Sequence, residues 1–261
     1  MAFRRARWFA ALVAAAACST SVAAAAQSVL NPHRAFYRLK LEQEANDLNG
    51  LVAVNGGLAI EWQGMCDGWT SSQRISFVAE MEDGYGYSYD VVYNTWESFD
   101  ATKLRYSMRS FEDGQLASEY SGTAQIGTDG KGTALFSLPE SRVIDLPVGT
   151  LFPVAHLRRI LASMSSKPVL LTHSVFDGSG FDSLTDITTV VSAPAPTEAP
   201  GQQWPVSMAY HKSDDSDLLP EFEVSFQLDP DGVMRDMVLD YGDFRLGGTL
   251  DEVEELPEPD C

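Results

Sequence analysis

Apolar and polar residues alternate with a period of two along most of this chain, and that pattern predicts β-strands with one buried face. The alternation is clearest in "FEVSFQL", where Phe222, Val224, Phe226 and Leu228 share one face. It resumes after the turn sequence "DPDG" at 229–232, so this region predicts a hairpin. Shorter runs with the same period occupy 35–41, 58–62, 75–77, 104–108 and 132–136.

Turn signals separate these runs at short intervals. Glycine preceded by aspartate suits such turns, because glycine adopts positive φ without steric cost. The sequence "NG" at 49–50 and the sequence "NGG" at 55–57 are interpreted as further breaks between strands. Many short strands at this spacing predict a mostly β protein with a sandwich or barrel-like sheet. The Asp-Gly pairs are Asp83-Gly84, Asp113-Gly114, Asp129-Gly130 and Asp177-Gly178.

One segment departs from the period of two. In "LFPVAHLRRILASMSSKP" the apolar residues recur at helical spacing, which predicts one α-helix at about 152–165. Pro153 suits its start, and Pro168 follows its end. His156 falls at the polar edge of this helix, so we interpret it as a surface or capping residue. The helix divides the chain into two β-rich halves.

The N-terminal sequence has the layout of a secretory signal peptide. Three arginines precede a short apolar run at 8–17, and "AAA" at 24–26 offers a cleavage site. Cleavage there predicts a single domain at 27–261 that is exported to the periplasm. Two alternatives are a buried alanine-rich helix and lipidation at Cys18. A proline-rich stretch at 193–205 predicts a stiff, solvated loop within the domain.

The exported chain is strongly acidic. The intact chain has 18 basic and 37 acidic residues, and the signal peptide removes only three arginines, so the net charge changes from −19 to −22. Phosphate contacts need clusters of Lys and Arg, so this charge argues against nucleic acid or an anionic membrane as a partner. After the signal peptide, no segment is apolar enough to predict a transmembrane span.

Two cysteines, Cys66 and Cys261, remain after cleavage. An even pair in an exported protein predicts a disulfide bond. Closing a loop of about 200 residues stabilises a fold by roughly 5 kcal/mol in the chain-entropy model. The pair lacks the C-x-x-C spacing of redox enzymes, so a structural bond is favoured over a redox-active pair or free thiols.

The sequence contains no recognisable catalytic motif. The four histidines, His33, His156, His173 and His211, show neither H-x-H nor H-E-x-x-H spacing for zinc. Turn chemistry explains "FDGSGFDS" at 176–183 better than a nucleophile elbow or a calcium loop does. An alternative is a pair of carboxyl groups that together hydrolyse a glycosidic bond. We therefore predict a protein that is not an enzyme and has no catalytic, cofactor-binding or metal-binding residues.

Several stretches, in order along the chain, resemble the EipB family of periplasmic cell-envelope integrity proteins. They include "LNPHRAFYRLKL" from Leu30, "GMCDGWTSSQR" from Gly64, "LPVGTLFPVAHLRRIL" from Leu146, "VFDGSG" from Val175 and the terminal cysteine. The resemblance implies a many-stranded antiparallel β-spiral with a central helix and a disulfide between the two cysteines. The proline-rich stretch near Ala193 departs from the family pattern.

The resemblance also implies a role in the integrity of the cell envelope. The favoured hypothesis is a non-catalytic protein that binds an envelope protein partner, for which a tetratricopeptide-repeat protein is one candidate. One alternative is a carrier, because a curved sheet with one apolar face can enclose a lipid or a peptide. Another is an envelope hydrolase acting on glycan or ester bonds.

Overall fold

The computed structural model describes residues 30–44, 50–194, 201–213 and 219–261. The predicted signal peptide at 1–26 and the middle of the proline-rich stretch lie outside the described residues. Within the described residues the fold has fourteen strands and one α-helix. The first eight strands are β1 His33–Glu44, β2 Leu51–Gly64, β3 Gly68–Met81, β4 Gly86–Ser98, β5 Lys103–Glu112, β6 Gln115–Ile126, β7 Gly132–Leu138 and β8 Arg142–Leu146. The helix, α1 Pro153–Ser163, precedes β9 Val169–Phe176, β10 Leu184–Val191, β11 Trp204–Lys212, β12 Phe222–Leu228, β13 Met234–Asp240 and β14 Phe244–Glu255.

All fourteen strands form one antiparallel sheet. Their order is β8-β7-β6-β5-β4-β3-β2-β1-β14-β13-β12-β11-β10-β9, so β1 pairs with both β2 and β14. The two β-rich halves of the chain therefore meet at β1 and β14, while β8 and β9 end the sheet. The helix connects these two ends. The mostly β, barrel-like fold with one helix that the sequence predicts is confirmed.

The alternating pattern and the Asp-Gly turns explain most of this architecture. β12 and β13 pair as the predicted hairpin. Gly84, Gly114, Gly130 and Gly178 all have positive φ, as the turn interpretation requires. At the turn between β5 and β6 both Asp113 and Gly114 have positive φ, which is the conformation of a tight hairpin turn.

Two sequence interpretations are wrong in detail. The "NGG" at 55–57 lies inside β2 and does not break it. A Cβ atom on Gly56 would lie 2.3 Å from the carbonyl oxygen of Ser76, so glycine here permits a close approach of β2 to β3. The loop predicted at 193–205 ends early, because Trp204 and Pro205 already belong to β11.

The rolled sheet closes through side chains at one seam. The segment after β9 lies against the neighbouring strands β4 to β7. Tyr93 of β4 donates a 2.6 Å hydrogen bond to the carbonyl oxygen of Asp177. Phe176 packs edge-on against Tyr106 of β5, with the ring centroids 5.6 Å apart. Phe181 contacts Phe136 of β7 at 5.0 Å. The fold is therefore a sheet rolled into a barrel, with an aromatic seam where the two halves overlap.

Two hydrophobic clusters fill the interior. The larger, which we name the main cluster, combines buried residues of β1–β3 and β10–β14 with Val154, Leu157, Ile160 and Leu161 of the helix. The smaller, the seam cluster, consists of Leu104, Tyr106, Ala124, Ala134, Phe136, Leu146, Phe152 and Phe176. The helix joins the two clusters, because Phe152 directly precedes its first residue.

The C-terminal tail returns to the start of the sheet. The backbone N–H of Leu256 donates to the carbonyl oxygen of Pro32 at 3.0 Å, and the Gln63 side chain donates to that of Pro257 at 2.8 Å. The sulfur atoms of Cys66 and Cys261 lie 2.09 Å apart. The last residue thus sits at disulfide distance from the loop after β2, while the structural importance of the bond stays a prediction.

Candidate functional site

A cavity of about 320 Å³ lies within the main cluster. Three parts of the fold enclose it: β2–β4 on one side, β11–β13 on another, and the helix. Side chains of these strands point inward because the period-two pattern turns every second residue toward the interior. Its lining residues are Leu58, Ile60, Trp62, Gln73, Ile75, Val91, Tyr93, Pro153, His156, Leu157, Ile160, Met208, Tyr210, Phe222, Val224, Phe226, Met234, Met237 and Leu239.

The wall of the cavity is mostly apolar. Most lining side chains are aliphatic or aromatic, and none is Lys, Arg, Asp or Glu. Three are methionines, Met208, Met234 and Met237. Methionine side chains are unbranched and flexible, so such a wall can adapt to the shape of a ligand. Its volume lies at the lower end of the range for small-molecule sites, which is roughly 300–1,000 Å³.

A chain of aromatic rings connects the cavity to the surface. Tyr210 and Phe222 line the cavity, and their ring centroids are 5.4 Å apart. Phe222 contacts Tyr241 at 4.8 Å, and Tyr241 contacts Phe244 at 4.9 Å. Burial raises the pKa of Tyr241 to about 12, and Tyr89 of β4 adds to the rise. Tyr241 is 39% exposed, so this chain of four rings, Tyr210, Phe222, Tyr241 and Phe244, reaches the surface, and we name it the aromatic rim.

Two polar atoms of the lining residues have no hydrogen-bond partner among the described residues. They are Nε1 of Trp62 and Nε2 of His156, and both residues are at most 5% exposed. Such buried polar groups normally have partners, since desolvating an unpaired group costs free energy. A third polar group, the hydroxyl of Tyr93, is already engaged with Asp177. Both ring nitrogens are buried beneath the surface of the cavity wall, and the polar side chains of Gln73 and Tyr210 also line the cavity.

His156 contradicts its sequence interpretation. It is 5% exposed and lies in the helix wall of the cavity, so it is neither a surface residue nor a cap. The helix is covered on more than one face, which periodicity alone did not reveal. Its ring lies 5.5 Å from that of His173 on β9. Burial lowers the pKa of His156 to about 4, with His173 contributing, so the ring is neutral at physiological pH.

The helix begins on a carboxyl group from a distant strand. Glu97 of β4 accepts hydrogen bonds from the backbone N–H groups of Val154 at 2.8 Å and Ala155 at 2.9 Å. Phe152, the N-cap residue, makes no side-chain cap of its own. Burial raises the pKa of Glu97 to about 7, although both hydrogen bonds oppose the rise. Glu97 thus fixes the helix against the sheet beside the cavity.

The remaining residues considered from sequence lie elsewhere. His33 begins β1, where its Nδ1 atom lies 2.8 Å from the carbonyl oxygen of Asn31. His211 lies on β11, opposite Asp186 of β10. Asp177 accepts from the backbone N–H of Ser179 at 2.8 Å, so it shapes the turn after β9. The described residues contain no group of three His, Cys, Asp or Glu side chains arranged to hold a metal ion.

The arrangement at the cavity suits binding. A concave, mostly apolar space with a few polar groups resembles a ligand site. Sequence reasoning predicted a curved sheet with one apolar face and named Phe222, Val224 and Phe226 on such a face, but it did not predict that they line a cavity. No helix in the described part of the chain combines the length and the hydropathy that crossing a membrane requires.

Three comparisons relate this chain to known proteins. The family model described as EipB-like matches residues 24–257. The cell envelope integrity protein EipB of Brucella abortus (strain 2308) is 31% identical over 242 residues, covering 87% of this chain and 85% of that protein. A solved structure, described as a β-barrel-like protein of domain of unknown function DUF1849 from Brucella abortus, is similar with a TM-score of 0.80 and 29% identity. The match covers 87% of this chain and 99% of that chain. The resemblance found in the sequence is confirmed, and the chain belongs to the EipB-like family.

Proposed function

We propose that this chain supports cell-envelope integrity from the periplasm, without catalysis, by binding an envelope protein partner. The envelope role rests on the relative that is 31% identical and is named a cell envelope integrity protein. The structural observation that supports partner binding is the free edge of the sheet at β8.

The two end strands of the sheet differ in how they are covered. β9 is partly paired on its outer side, because Leu151 donates to the carbonyl of Ser174 and accepts from the N–H of Phe176. For β8, no backbone hydrogen bond on its outer side occurs among the described residues. An uncovered edge strand can pair with an extended segment of another protein. β8 is therefore the end of the sheet at which a partner can add a strand.

Exposed apolar side chains accompany this edge. Val143 on β8 is 61% exposed, and Leu135, its cross-strand neighbour on β7, is 47% exposed. Val148, just after β8, is 64% exposed. Apolar side chains beside an open edge would give a paired strand both backbone hydrogen bonds and side-chain burial. A tetratricopeptide-repeat protein remains the partner class that the family resemblance implies.

The test combines crosslinking with complementation. Val143→Glu places a charge on the edge, and Val78→Glu places the same charge on β3, where Val78 is 49% exposed. In a deletion strain, we expect Val78→Glu to restore detergent survival and to crosslink to the same envelope protein as the wild-type chain. Val143→Glu should lose the crosslink and the rescue while staying abundant. Equal behaviour of the two variants would contradict binding at β8.

A second candidate function is a carrier for an apolar ligand, and the cavity in the main cluster favours it. Native mass spectrometry of the protein, purified from envelopes without detergent, tests this function. A copurifying small molecule would support it. The hydrolase alternative predicts turnover of ester or glycosidic substrates by the purified protein, and the carrier function predicts none.

A further inference from the structure

We propose that the free edge at β8 recognises an extended segment of its partner with the residue order basic, apolar, apolar, and that this segment pairs antiparallel to β8. The inference rests on the proposed function and specifies the chemistry of the partner's segment. Three consecutive residues of β8 carry it: Val143, Ile144 and Asp145. The recognised segment is short, because β8 spans five residues and Pro147, which cannot donate a backbone hydrogen bond, follows directly.

The two faces of β8 differ, so the partner's residues meet two environments in turn. Val143 and Asp145 are exposed on the outer face of the sheet, where they pair with Leu135 and Thr133 of β7. Ile144 is half-buried on the inner face and packs against the seam cluster. Successive residues of an added strand alternate between these faces. Each of the three residues of β8 therefore fixes the environment of the partner residue opposite to it.

Two of the three positions require apolar partner residues. A side chain opposite Ile144 would extend the seam cluster, where an unpaired polar group would be unfavourable. On the outer face, Val143 is 61% exposed and its neighbour Leu135 is 47% exposed. An apolar residue opposite Val143 would cover this surface, and apolar cross-strand pairs stabilise sheets.

The third position, opposite Asp145, requires a basic residue. The carboxyl group of Asp145 is exposed and makes no ion pair or hydrogen bond with any other described residue. Arg142 does not neutralise it, because its guanidinium group pairs with Glu140 at 3.0 Å and lies 3.9 Å from the ring centroid of Phe181. Lys131, just before β7, forms no ion pair within the described ranges. A Lys or Arg opposite Asp145 would complete a cross-strand pair of opposite charge.

Charge also favours a basic partner over a second copy of the chain. The chain has 18 basic and 37 acidic residues, so two copies repel each other, whereas a basic segment is attracted. In addition, pairing two β8 strands with Ile144 opposite itself would place Asp145 of each copy opposite Val143 of the other. That register would leave a charge against an apolar side chain.

The antiparallel direction sets the order of the three residues. Every strand pair of the described sheet is antiparallel, and antiparallel pairs outnumber parallel ones roughly two- to three-fold in proteins. An antiparallel segment meets Asp145 first, then Ile144 and then Val143. Read from its N-terminus, it is therefore basic, apolar, apolar.

The first experiment titrates the mature protein, labelled for NMR, with the peptide acetyl-Thr-Lys-Val-Val-Thr-amide. We expect chemical-shift changes and slower hydrogen exchange at the backbone amides of β8. Three control peptides each change one property: Glu in place of Lys, N-methyl groups on both valines, or the reversed order Thr-Val-Val-Lys-Thr. The Glu peptide should bind about fivefold more weakly at low salt, since exposed charge pairs contribute modestly, and high salt should reduce the difference. The N-methylated peptide should not bind, because it cannot donate to β8.

The possible results separate this inference from the proposed function. If no peptide affects the amides of β8, or if the N-methylated peptide binds equally well, strand addition at β8 fails and the proposed binding site fails with it. If the Glu peptide binds as tightly as the Lys peptide, the basic assignment fails while edge binding stands. Tighter binding of the reversed peptide would overturn the antiparallel order. Concentration-dependent shifts of the β8 amides without peptide would identify a second copy as the occupant and overturn the proposal.

A charge reversal at Asp145 tests the basic assignment directly. In Asp145→Lys the preference should invert, so that the Glu peptide binds about fivefold more tightly than the Lys peptide. The matched control is Glu252→Lys, which reverses an exposed charge on β14 and should keep the wild-type preference. In the deletion strain, Asp145→Lys should lose the crosslink to the envelope partner, and Glu252→Lys should keep it. If Asp145→Lys crosslinks and rescues like the wild-type chain while Val143→Glu does not, the basic assignment is overturned and the proposed function stands.

Discussion

The two hydrophobic clusters inside the rolled sheet are packed in different ways. The seam cluster is small and aromatic, and Phe136 at its centre makes edge-to-face contacts with four rings, those of Tyr106, Tyr120, Phe176 and Phe181. The main cluster is larger, contains flexible methionines and encloses the cavity. The same sheet thus provides one tightly packed region and one region with internal space.

The difference follows from how each region closes. At the seam no ladder of backbone hydrogen bonds crosses the overlap among the described residues, so side-chain packing holds the two halves together there. Around the cavity, neighbouring strands are joined by ladders of backbone hydrogen bonds, with one register shift between β12 and β13 and one near the start of β2. The wall of the cavity is thus supported by backbone ladders, whereas the seam depends on side-chain packing.

The first prediction compares one phenylalanine from each region. Phe136→Ala should destabilise the fold by about 4 kcal/mol, because the residue is fully buried and the surrounding rings cannot collapse into the space. Phe222→Ala should cost about half as much, since its side chain already borders the cavity and is partly exposed. Urea unfolding of both variants measures the two losses. Equal losses would show that the two clusters are packed alike.

The sequence predicted the strands of both regions but not the difference between them. The alternation in "FEVSFQL" and the Asp-Gly turns depend on neighbouring residues, so they could be interpreted locally. The cap that Glu97 supplies to α1 joins residues 57 positions apart, and the contact of His156 with His173 joins two separate elements. Neither contact can be predicted from the residues next to it in the sequence. The cavity is a space that side chains from three distant parts of the chain leave unfilled. The period of the sequence predicts which side chains point inward but not whether they fill the space between them.

The second prediction concerns the covalent tie on the side of the main cluster. Cys66 follows β2, whose residues Leu58, Ile60 and Trp62 line the cavity. Replacing both Cys66 and Cys261 by Ser should cost about 3–4 kcal/mol, less than the full chain-entropy value, because hydrogen bonds still hold the tail. Thermal unfolding of the oxidised wild-type chain and of the double variant measures the effect. A variant that melts like the wild-type protein would show that the bond has no structural role.

The third prediction tests the junction of the two clusters. Glu97 pairs with Leu104 of the seam cluster across β4 and β5, and its carboxyl group holds the helix that borders the cavity. Its pKa is raised by burial from 4.5 to about 7 in the folded chain. Between these values the folded chain retains a proton that the unfolded chain has released, so stability falls as the pH rises from about 4.5 to 7.

Between pH 5 and pH 8, the free energy of unfolding of the wild-type protein should fall by about 2–3 kcal/mol relative to that of Glu97→Gln. The Glu97→Gln variant also loses some stability at every pH, because its amide NH₂ group faces a backbone N–H and cannot accept a hydrogen bond from it. Other titrating groups, His156 among them, are common to both proteins and cancel in the difference. Urea midpoints over this pH range measure it. If the difference between the two proteins does not change with pH, the pKa of Glu97 is not raised in the folded chain.

The last prediction tests how closely the seam is packed, with two glycines that share a backbone conformation. Gly178 and Gly84 have φ values of +78° and +81°, so alanine at either position carries a similar backbone strain of about 1 kcal/mol. Around Gly84 nothing lies within 4 Å of an added Cβ atom, whereas at Gly178 that atom would lie 2.3 Å from Cγ of Tyr106. Gly178→Ala should therefore cost about 2 kcal/mol more than Gly84→Ala, the excess being the displacement of the Tyr106 ring from its contacts with Phe136 and Phe176. Chemical denaturation of the two variants gives the difference, and near-ultraviolet circular dichroism reports whether the tyrosine environment changes. If both alanines cost the same, Tyr106 moves aside without loss, and the seam is as adaptable as the wall of the cavity.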